Sequence, residues 1–402
     1  MDLMFTSGDK AWRDEIRDFL DKELPQEQKG GGRDFSLEDE TPERVAFREI
    51  FVNKLVEKGW YTMGWPVEYG GQNARPIKMA VYNEEMAYNR APASLGGGLA
   101  GAFMAHGTPE QKAKWIPAMA SGDVVTCLGY SEPEAGSDLA SLQCRAVLDG
   151  DEYVVNGQKH FTSNAQNSTH IDLLVRSDPD APKYRGISRF IVDLKSPGVT
   201  VRPQWNMSGR GSRQNETFFD NVRVPKENMI GTLNQAWYEY NRDTPLTSVG
   251  QGTAGTRRAF DEFLNYCRET KRNGVRLIDD QLNRSKLTTL LMELEVMTWI
   301  YWRRVSQAEK DYGKPRGDLG GGIHDAPSSI PVLIYKEWVP RFADTAMQIA
   351  GPLGQIKAGS KWTQMGGWVE RYHRAQAFNN HPHGTPEIHR MVVAIRGLGL
   401  PR

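Results

Sequence analysis

Tyr130-Ser131-Glu132-Pro133-Glu134-Ala135-Gly136-Ser137-Asp138 is the stretch whose reading decides the fold. A Ser beside a chain reversal offers both its hydroxyl and its backbone N–H as donors. Taken alone, the segment reads equally well as an ordinary strand-end turn. A β-rich run follows, ending in Asn156-Gly157-Gln158-Lys159-His160-Phe161-Thr162-Ser163-Asn164. Asn156-Gly157 is the strongest short hairpin signal in the chain. Phe161 and Ser163 alternate with Thr162, so on a strand they share one face. An aromatic ring and a hydroxyl on one face wall a flat ring system and bond its edge. A half-buried strand without a ligand is the commoner case for an isolated aromatic.

Upstream of this stretch the texture is helical. Trp12, Ile16, Phe19 and Leu20 fall on one helix face. Thr41-Pro42 reads as a cap and first-turn proline, followed by apolar Val45, Phe47, Phe51, Leu55 and Val56, with Gly59 as a stop. Thr108-Pro109-Glu110-Gln111 is a capping box, and Gly122 stands near the end of the helix it opens. From Asp123 the pattern becomes β-prone at Val124-Val125, Tyr153-Val154-Val155, Leu173-Leu174-Val175, Phe190-Ile191-Val192 and Thr217-Phe218-Phe219. Asp178-Pro179-Asp180 and Ser196-Pro197-Gly198 read as turns. Helical periodicity returns near Leu233, and Leu287, Leu290, Leu291, Leu294, Met297 and Trp299 lie in one long amphipathic stretch. The Gly-rich segment from Arg316 to Ser329 is expected to be a loop. Three domains are expected: helical over 1–122, an antiparallel β-barrel or sandwich over 123–232, and helical over 233–402, an α+β multidomain chain.

Composition narrows the function. The 402 residues carry 50 Lys+Arg and 50 Asp+Glu, so the formal net charge is +0, and no nucleic-acid binding driven by whole-chain charge is expected. No apolar run is long enough to span a bilayer, and the N-terminus lacks the basic and apolar regions of a signal peptide. Cys127, Cys144 and Cys267 are widely spaced, which fits reduced thiols in a cytoplasmic protein and gives no metal motif. Eleven Trp suggest large apolar contacts, a flat ligand among them.

In this order and spacing, the Ser131–Asp138 segment, the Asn-Gly run and Phe161-Thr162-Ser163 resemble the flavin-facing segment of the acyl-CoA dehydrogenase family. The resemblance covers essentially the whole chain. It implies that family's fold: an N-terminal helical domain, a middle β domain and a C-terminal four-helix bundle. It also implies FAD as cofactor, an acyl-CoA thioester as substrate, and α,β-desaturation with a hydride passing to the flavin. An electron-transferring flavoprotein is the implied acceptor, and a homotetramer or heterotetramer the implied assembly.

Residue by residue, the resemblance puts Leu128, Tyr130, Ser131, Phe161 and Ser163 against the flavin. Phe161 stands where Trp is usual and Ser163 where Thr is usual. Ser137 falls on a position that contacts the coenzyme A chain; its plain alternative is turn capping by Ser-Asp. Gln348-Ile349-Ala350-Gly351-Pro352-Leu353-Gly354 resembles a Gln-x-x-Gly-Gly-x-Gly loop that holds the flavin diphosphate across a subunit interface, with Gln348 and Gly351 as the matching residues. Pro352 removes one donor from it. Gly384-Thr385-Pro386-Glu387-Ile388-His389-Arg390 resembles the C-terminal nucleotide signature, so Thr385 and Glu387 are implied nucleotide contacts.

Two departures matter. The usual catalytic Glu is replaced by His383, a residue able to act as base or hydrogen bonder. Other members, among them steroid-type ones, carry the base early in the C-terminal domain, where this chain has Tyr240-Asn241-Arg242-Asp243-Thr244-Pro245. Asp243 is therefore the expected base and His383 the second candidate; Asp before Thr-Pro is also a good helix cap. In place of Arg-Lys-x-Phe-Gly the chain has Thr270-Lys271-Arg272-Asn273-Gly274, leaving Lys271 or Arg272 to supply the diphosphate's charge partner. This segment, Arg276-Leu277-Ile278-Asp279 and the terminal Gly397-Leu398-Gly399-Leu400-Pro401-Arg402 bring the chain nearer the steroid-type members. Asn379, Asn380 and His381 beside His383 point either to a polar, cyclic or bulky acyl group or to a hydrated loop. The same fold with altered flavin chemistry, and a non-catalytic partner subunit, are the alternatives.

Overall fold

A computed structural model describes residues 5–25, 42–92, 99–207, 214–243, 253–313 and 326–401. The first helix, α1 (Ser7–Glu23), opens on a capping box in which Thr6 and Asp9 satisfy each other's backbone N–H groups. Its buried residues are Trp12, Ile16, Phe19 and Leu20, as the periodicity requires. They pack on Phe51 and Leu55 of α2 (Pro42–Glu57), which is followed by Gly59 at φ 67°. The expected cap at Thr41 lies outside the described residues. After α3 (Pro76–Tyr88) and α4 (Ala100–His106), α5 (Pro109–Ser121) begins at the Thr108–Gln111 capping box and ends at left-handed Gly122.

The middle of the chain folds into strands β1 (Thr126–Gly129), β2 (Arg145–Asp149), β3 (Glu152–Lys159), β4 (His170–Arg176), β5 (Ile187–Asp193), β6 (Val199–Pro203), β7 (Asn215–Pro225) and β8 (Met229–Ile230). They form one sheet in the order β6-β7-β3-β2-β4-β5-β8, with β1 also on β4. The ladders are antiparallel except where β1 and β2 run parallel to β4, so the sheet is mixed rather than wholly antiparallel. Val155, Ile171, Leu173, Val175, Phe190 and Val222 fill its core.

The Asn156-Gly157 hairpin expected from the sequence does not form. The pair lies inside β3, where the register against β7 slips by one residue between Val155 and Gly157. Gly157 takes φ 144°, and a Cβ there would meet Cys144 Cα at 2.7 Å. The pair therefore marks a bulge, where glycine admits a close backbone approach. The Asn-Gly that does turn the chain is Asn273-Gly274, at φ 52° and 82°, between β9 (Lys271–Arg272) and β10 (Val275–Arg276). Two consecutive left-handed residues are what a two-residue hairpin needs.

The C-terminal part comprises α6 (Ala236–Asp243), α7 (Ala254–Glu269), α8 (Gln281–Asp311), α9 (Ala326–Ala350), α10 (Trp368–Asn379) and α11 (Pro386–Val392). The four long helices α7–α10 enclose Phe260, Phe263, Leu294, Trp338, Phe342 and Trp368. Trp338 satisfies its indole N–H on the Leu290 carbonyl at 2.9 Å. The far end of α8 enters the N-terminal core through Tyr301, Trp302 and Val305, so one helix ties both helical parts together. Trp299 leaves the buried stripe of α8 and is 56% exposed. The expected loop to Ser329 ends earlier: α9 already starts at Ala326 and buries Ser329, while 314–325 lie outside the described residues.

Candidate active site

The turn carrying Ser131 is held from beneath. Glu132 and Ala135 exchange backbone hydrogen bonds at 3.0 and 3.1 Å, closing a tight reversal. The Glu132 carboxylate turns inward and accepts from the Gln143 and Cys144 N–H groups at 2.6 and 2.9 Å. It also accepts from Lys159 Nζ at 2.7 Å, and the same ammonium donates to the Tyr130 carbonyl at 3.1 Å. Lys159 is 1% exposed; an ammonium that deep is tolerable only when paired and hydrogen-bonded, as here. Behind it, the Tyr130 hydroxyl donates to Asp172 at 2.6 Å, and Arg189 donates to both Asp172 oxygens at 2.7 and 2.6 Å. Burial raises the Tyr130 pKa well above its ordinary value, which keeps the phenol protonated as a donor. Glu132, Lys159, Asp172 and Arg189 were missed by sequence reasoning. For Asp172 and Arg189 the signal was an ionisable residue inside a strand-like, otherwise apolar run; Glu132 and Lys159 stand in polar segments and gave none.

From this anchored turn a continuous set of contacts leads into the C-terminal domain. The His160 N–H donates to the Ser131 carbonyl at 2.8 Å. The rings of His160 and Phe161 lie 4.1 Å apart, and Phe161 meets Phe378 of α10 at 6.0 Å. Phe378 lies five residues ahead of His383. On the other side, Tyr240 of α6 packs edge-on against Tyr130 at 5.2 Å, which puts the Asp243 end of that helix one turn further on. The structure thus links the Ser131–Phe161 segment to α10 through Phe378 and to α6 through Tyr130 and Tyr240, and the Asn380–His383 turn follows directly on α10. Leu128 adds a 39% exposed side chain on β1.

Phe161 and Ser163 reach this region by a route the sequence did not suggest. β3 ends at Lys159, and residues 160–164 form an irregular strap in which Phe161 and Asn164 have φ 57° and 61°. They do not alternate on a strand. The strap is pinned by Asn215, whose backbone N–H and C=O pair with Thr162 and whose amide donates to the Thr162 carbonyl at 3.0 Å. Gln214 donates to Ser163 Oγ at 2.9 Å, leaving the serine's own proton to point elsewhere. Thr162 Oγ1 and Thr217 Oγ1 are buried here with no protein partner. Two left-handed non-glycine residues in a row of five are a strain of the kind found at ligand clamps.

The remaining expected residues are placed as follows. Ser137 is exposed, but the cap of the turn after it is Asp138, which accepts from Ser141 and Lys183 at 2.6 Å each. Thr385 caps α11, and Glu387 in its first turn sits below the usual carboxylate range because backbone N–H groups and Thr385 stabilise its charge. His383 has φ 59°, and partial desolvation together with the nearby Lys336 charge lowers its pKa. A cleft of about 440 Å³ opens beside it, lined by Lys336, Asn380, Glu387 and Arg390 among others. Gln348, Gly351 and Arg272 form a separate group. Arg272 donates to the Ile349 and Ala350 carbonyls at 2.8 Å each, at the C-terminal end of α9. Gly351 lets that guanidinium approach, since a Cβ there would lie 3.1 Å from it. Gln348 accepts from Lys286 at 2.7 Å. Lys336 and Gln348 are separated by about 18 Å along α9, at 1.5 Å per residue. This group is therefore remote from the His383 turn within one chain.

Among the described residues no cluster of His, Cys, Asp and Glu could hold a metal ion. Burial pushes the Cys127, Cys144 and Cys267 thiols up to about 12, 11 and 12, so none offers a thiolate nucleophile. No helix among the described residues is long and apolar enough to cross a membrane.

A helical–β–helical chain whose middle part meets the last through Phe161 on Phe378 and Tyr130 on Tyr240 is the architecture of an acyl-CoA-oxidising enzyme class. Three family descriptions match in sequence: the acyl-CoA dehydrogenase N-terminal domain at residues 6–123, the middle domain at 127–222 and the C-terminal domain at 243–398. Acyl-CoA dehydrogenase FadE26 of Mycobacterium tuberculosis is 31% identical over 100% of this chain and 99% of its own length. The crystal structure of the ChsE4-ChsE5 complex from Mycobacterium tuberculosis matches with a TM-score of 0.83 at 30% identity, covering 100% of both chains. The Tcur3481-Tcur3483 steroid ACAD matches with a TM-score of 0.82 at 30% identity, again over 100% of both chains. The chain belongs to the acyl-CoA dehydrogenase family, a family of oxidoreductases.

Proposed function

We propose that this chain is an FAD-dependent dehydrogenase that desaturates the α,β bond of an acyl-CoA thioester carrying a bulky, cyclic or polar acyl group. The observation that carries the reading is the contact path from the Ser131 turn through Phe161 to Phe378 of α10, the helix that leads into the His383 turn, with Tyr240 of α6 packed on Tyr130. The chemistry of these residues fits a flavin: an exposed aromatic ring at Phe161, serine hydroxyls at Ser131 and Ser163, and buried unpartnered hydroxyls at Thr162 and Thr217 suit a flat ring with polar edges. When bound, a flavin supplies the acceptor for the hydride that leaves the substrate β carbon. The protein's own part is to orient the thioester, to polarise its carbonyl by hydrogen bonds, and to take the α proton. Asp243 is the proposed base. Its stem is one methylene shorter than that of Glu, so the acyl group must approach α6 closely. His383, on the turn that begins at Asn380, is the second candidate base, both residues facing the substrate in this reading; Ser137 contacts the coenzyme A chain. The relatives named for steroid chemistry support a cyclic acyl group.

A second observation favours a mixed assembly. Arg272 is turned onto its own chain's α9 carbonyls, Gln348 is held by Lys286, and Pro352 has no N–H. The loop that the resemblance assigns to a neighbour's flavin diphosphate is satisfied internally. We therefore favour a heterotetramer with a distinct partner chain over a homotetramer, with an electron-transferring flavoprotein as acceptor. The three free, buried cysteines agree with a reducing cytoplasmic setting.

The test is anaerobic bleaching of the flavin band of purified protein by straight-chain, cyclic and steroid-side-chain acyl-CoAs. Bleaching by cyclic or steroid-side-chain thioesters supports the reading. A bound flavin that none of them reduces, alone or with a co-expressed partner chain, rejects it. Fast reoxidation by oxygen after bleaching would point to oxygenase chemistry instead.

A further inference from the structure

We propose that Lys336 and His389 are positioning residues that clamp the Asn380–Gly384 turn from two sides and so fix the placement of His383.

Lys336 lies in the middle of α9 and is 4% exposed. A buried lysine normally seeks a carboxylate. This one donates instead to two backbone carbonyls, Asn380 O at 2.9 Å and Pro382 O at 2.7 Å. Asn380 is the C-cap of α10, so the ammonium also sits at the negative end of that helix. From the opposite side, His389 of α11 is 2% exposed, and its Nε2 lies 3.0 Å from the His383 carbonyl. A carbonyl can only accept, so Nε2 must carry the proton. Nδ1 is buried without a partner, which fits a neutral ring in that single tautomer. Three carbonyls of one short turn are thus held by two side chains from different helices.

The turn needs holding. His383 at φ 59° and Gly384 at φ 88° are consecutive left-handed residues, a conformation that a histidine does not keep unaided. A Cβ on Gly384 would lie 3.1 Å from His389 Nε2, so the glycine and the histidine fit as a pair. Burial lowers the Lys336 pKa to about 8, and burial also lowers that of His389. Lys336 and His389 are the charged and titratable groups that act on His383, His381 shares the turn, and Glu337, Arg341, Glu387 and Arg390 line the adjoining cleft. The clamp is independent of turnover; its bearing on catalysis rests on the functional reading above, which puts His383 on the substrate side.

The experiment uses the purified protein with its bound flavin and reads the turn directly by mass spectrometry. Backbone deuterium exchange of peptides covering 379–386 is compared in wild type, Lys336→Met, His389→Phe and His389→Gln, together with exchange at the His383 ring carbon as a function of pH. Expected are faster turn exchange by about tenfold or more in Lys336→Met and His389→Phe, unchanged exchange in α7 and α8, and recovery in His389→Gln, whose amide can still donate. Lys336→Met should also move the His383 half-titration point upward, which simple loosening would not do. Turn exchange within about twofold of wild type in both variants, or equal loosening throughout the bundle, overturns the proposal. If acyl-CoAs fail to bleach the flavin while these shifts appear, the functional reading falls and the clamp stands.

Discussion

Lys159 Nζ lies 2.7 Å from Glu132 Oε1, with the two side chains 0% and 7% exposed, directly beneath the turn that presents Ser131. The pair joins the end of β3 to the Glu-Pro turn, and the same ammonium also holds the Tyr130 carbonyl. It therefore fixes the height of the candidate flavin-facing backbone against the sheet.

Removing one member leaves a buried charge without its partner. Glu132→Gln should cost about 3–5 kcal/mol of stability, measured by denaturant unfolding followed through tryptophan fluorescence. The double variant Glu132→Gln with Lys159→Met should recover part of that loss. A Glu132→Gln protein as stable as wild type would remove the pair's assigned role.

Asp243→Asn should abolish anaerobic flavin bleaching by the active acyl-CoA, whereas His383→Ala should retain measurable bleaching. Stopped-flow absorbance under anaerobic conditions separates the two. The opposite pattern would move the base to His383.

At the β3 bulge, Gly157→Ala places a methyl 2.7 Å from Cys144 Cα, at φ 144°. A cost of order 1–3 kcal/mol is expected from the backbone conformation alone, seen as a lower thermal midpoint. Ala at Gly150, which has open space around its Cβ position despite φ 64°, should be milder. Equal effects at both sites would show that the close approach to Cys144 carries no weight.

Lys336 yields a pH signature. Its folded pKa, about 8, lies below the ordinary 10.5. Between these values the unfolded chain binds more protons than the folded one, so stability must rise with pH across that window. Below pH 8 both states are protonated and the full penalty is present. In Lys336→Met this rise should vanish. Comparing thermal midpoints of the two proteins from about pH 7 to about pH 10.5 tests it, because the other lysines cancel in the difference.

Local chemistry made much of the fold legible. The capping box at Thr108, the stop at Gly122 and the apolar stripe of α8 all depend on residues within a few positions of one another. Asn156-Gly157 misled because the same dipeptide serves a bulge when a strand pairs on both sides, and that pairing partner, β7, is some sixty residues away. Phe161 and Ser163 were expected on a strand; Asn215, on β7, pulls the backbone into a strap instead.

For the candidate site, residue types and their order determined the family and marked the Ser131, Phe161, Asp243 and His383 segments, because those motifs are short and contiguous. Tertiary structure alone decided which segments meet. It also supplied the buried groups that hold them: Glu132–Lys159 under the first turn, Asn215 on the strap, and Lys336 with His389 around the last. The reason is physical. A buried ion pair or a side chain on a distant carbonyl is stable only where the fold excludes water and aligns both partners, and neither condition is written in the local sequence.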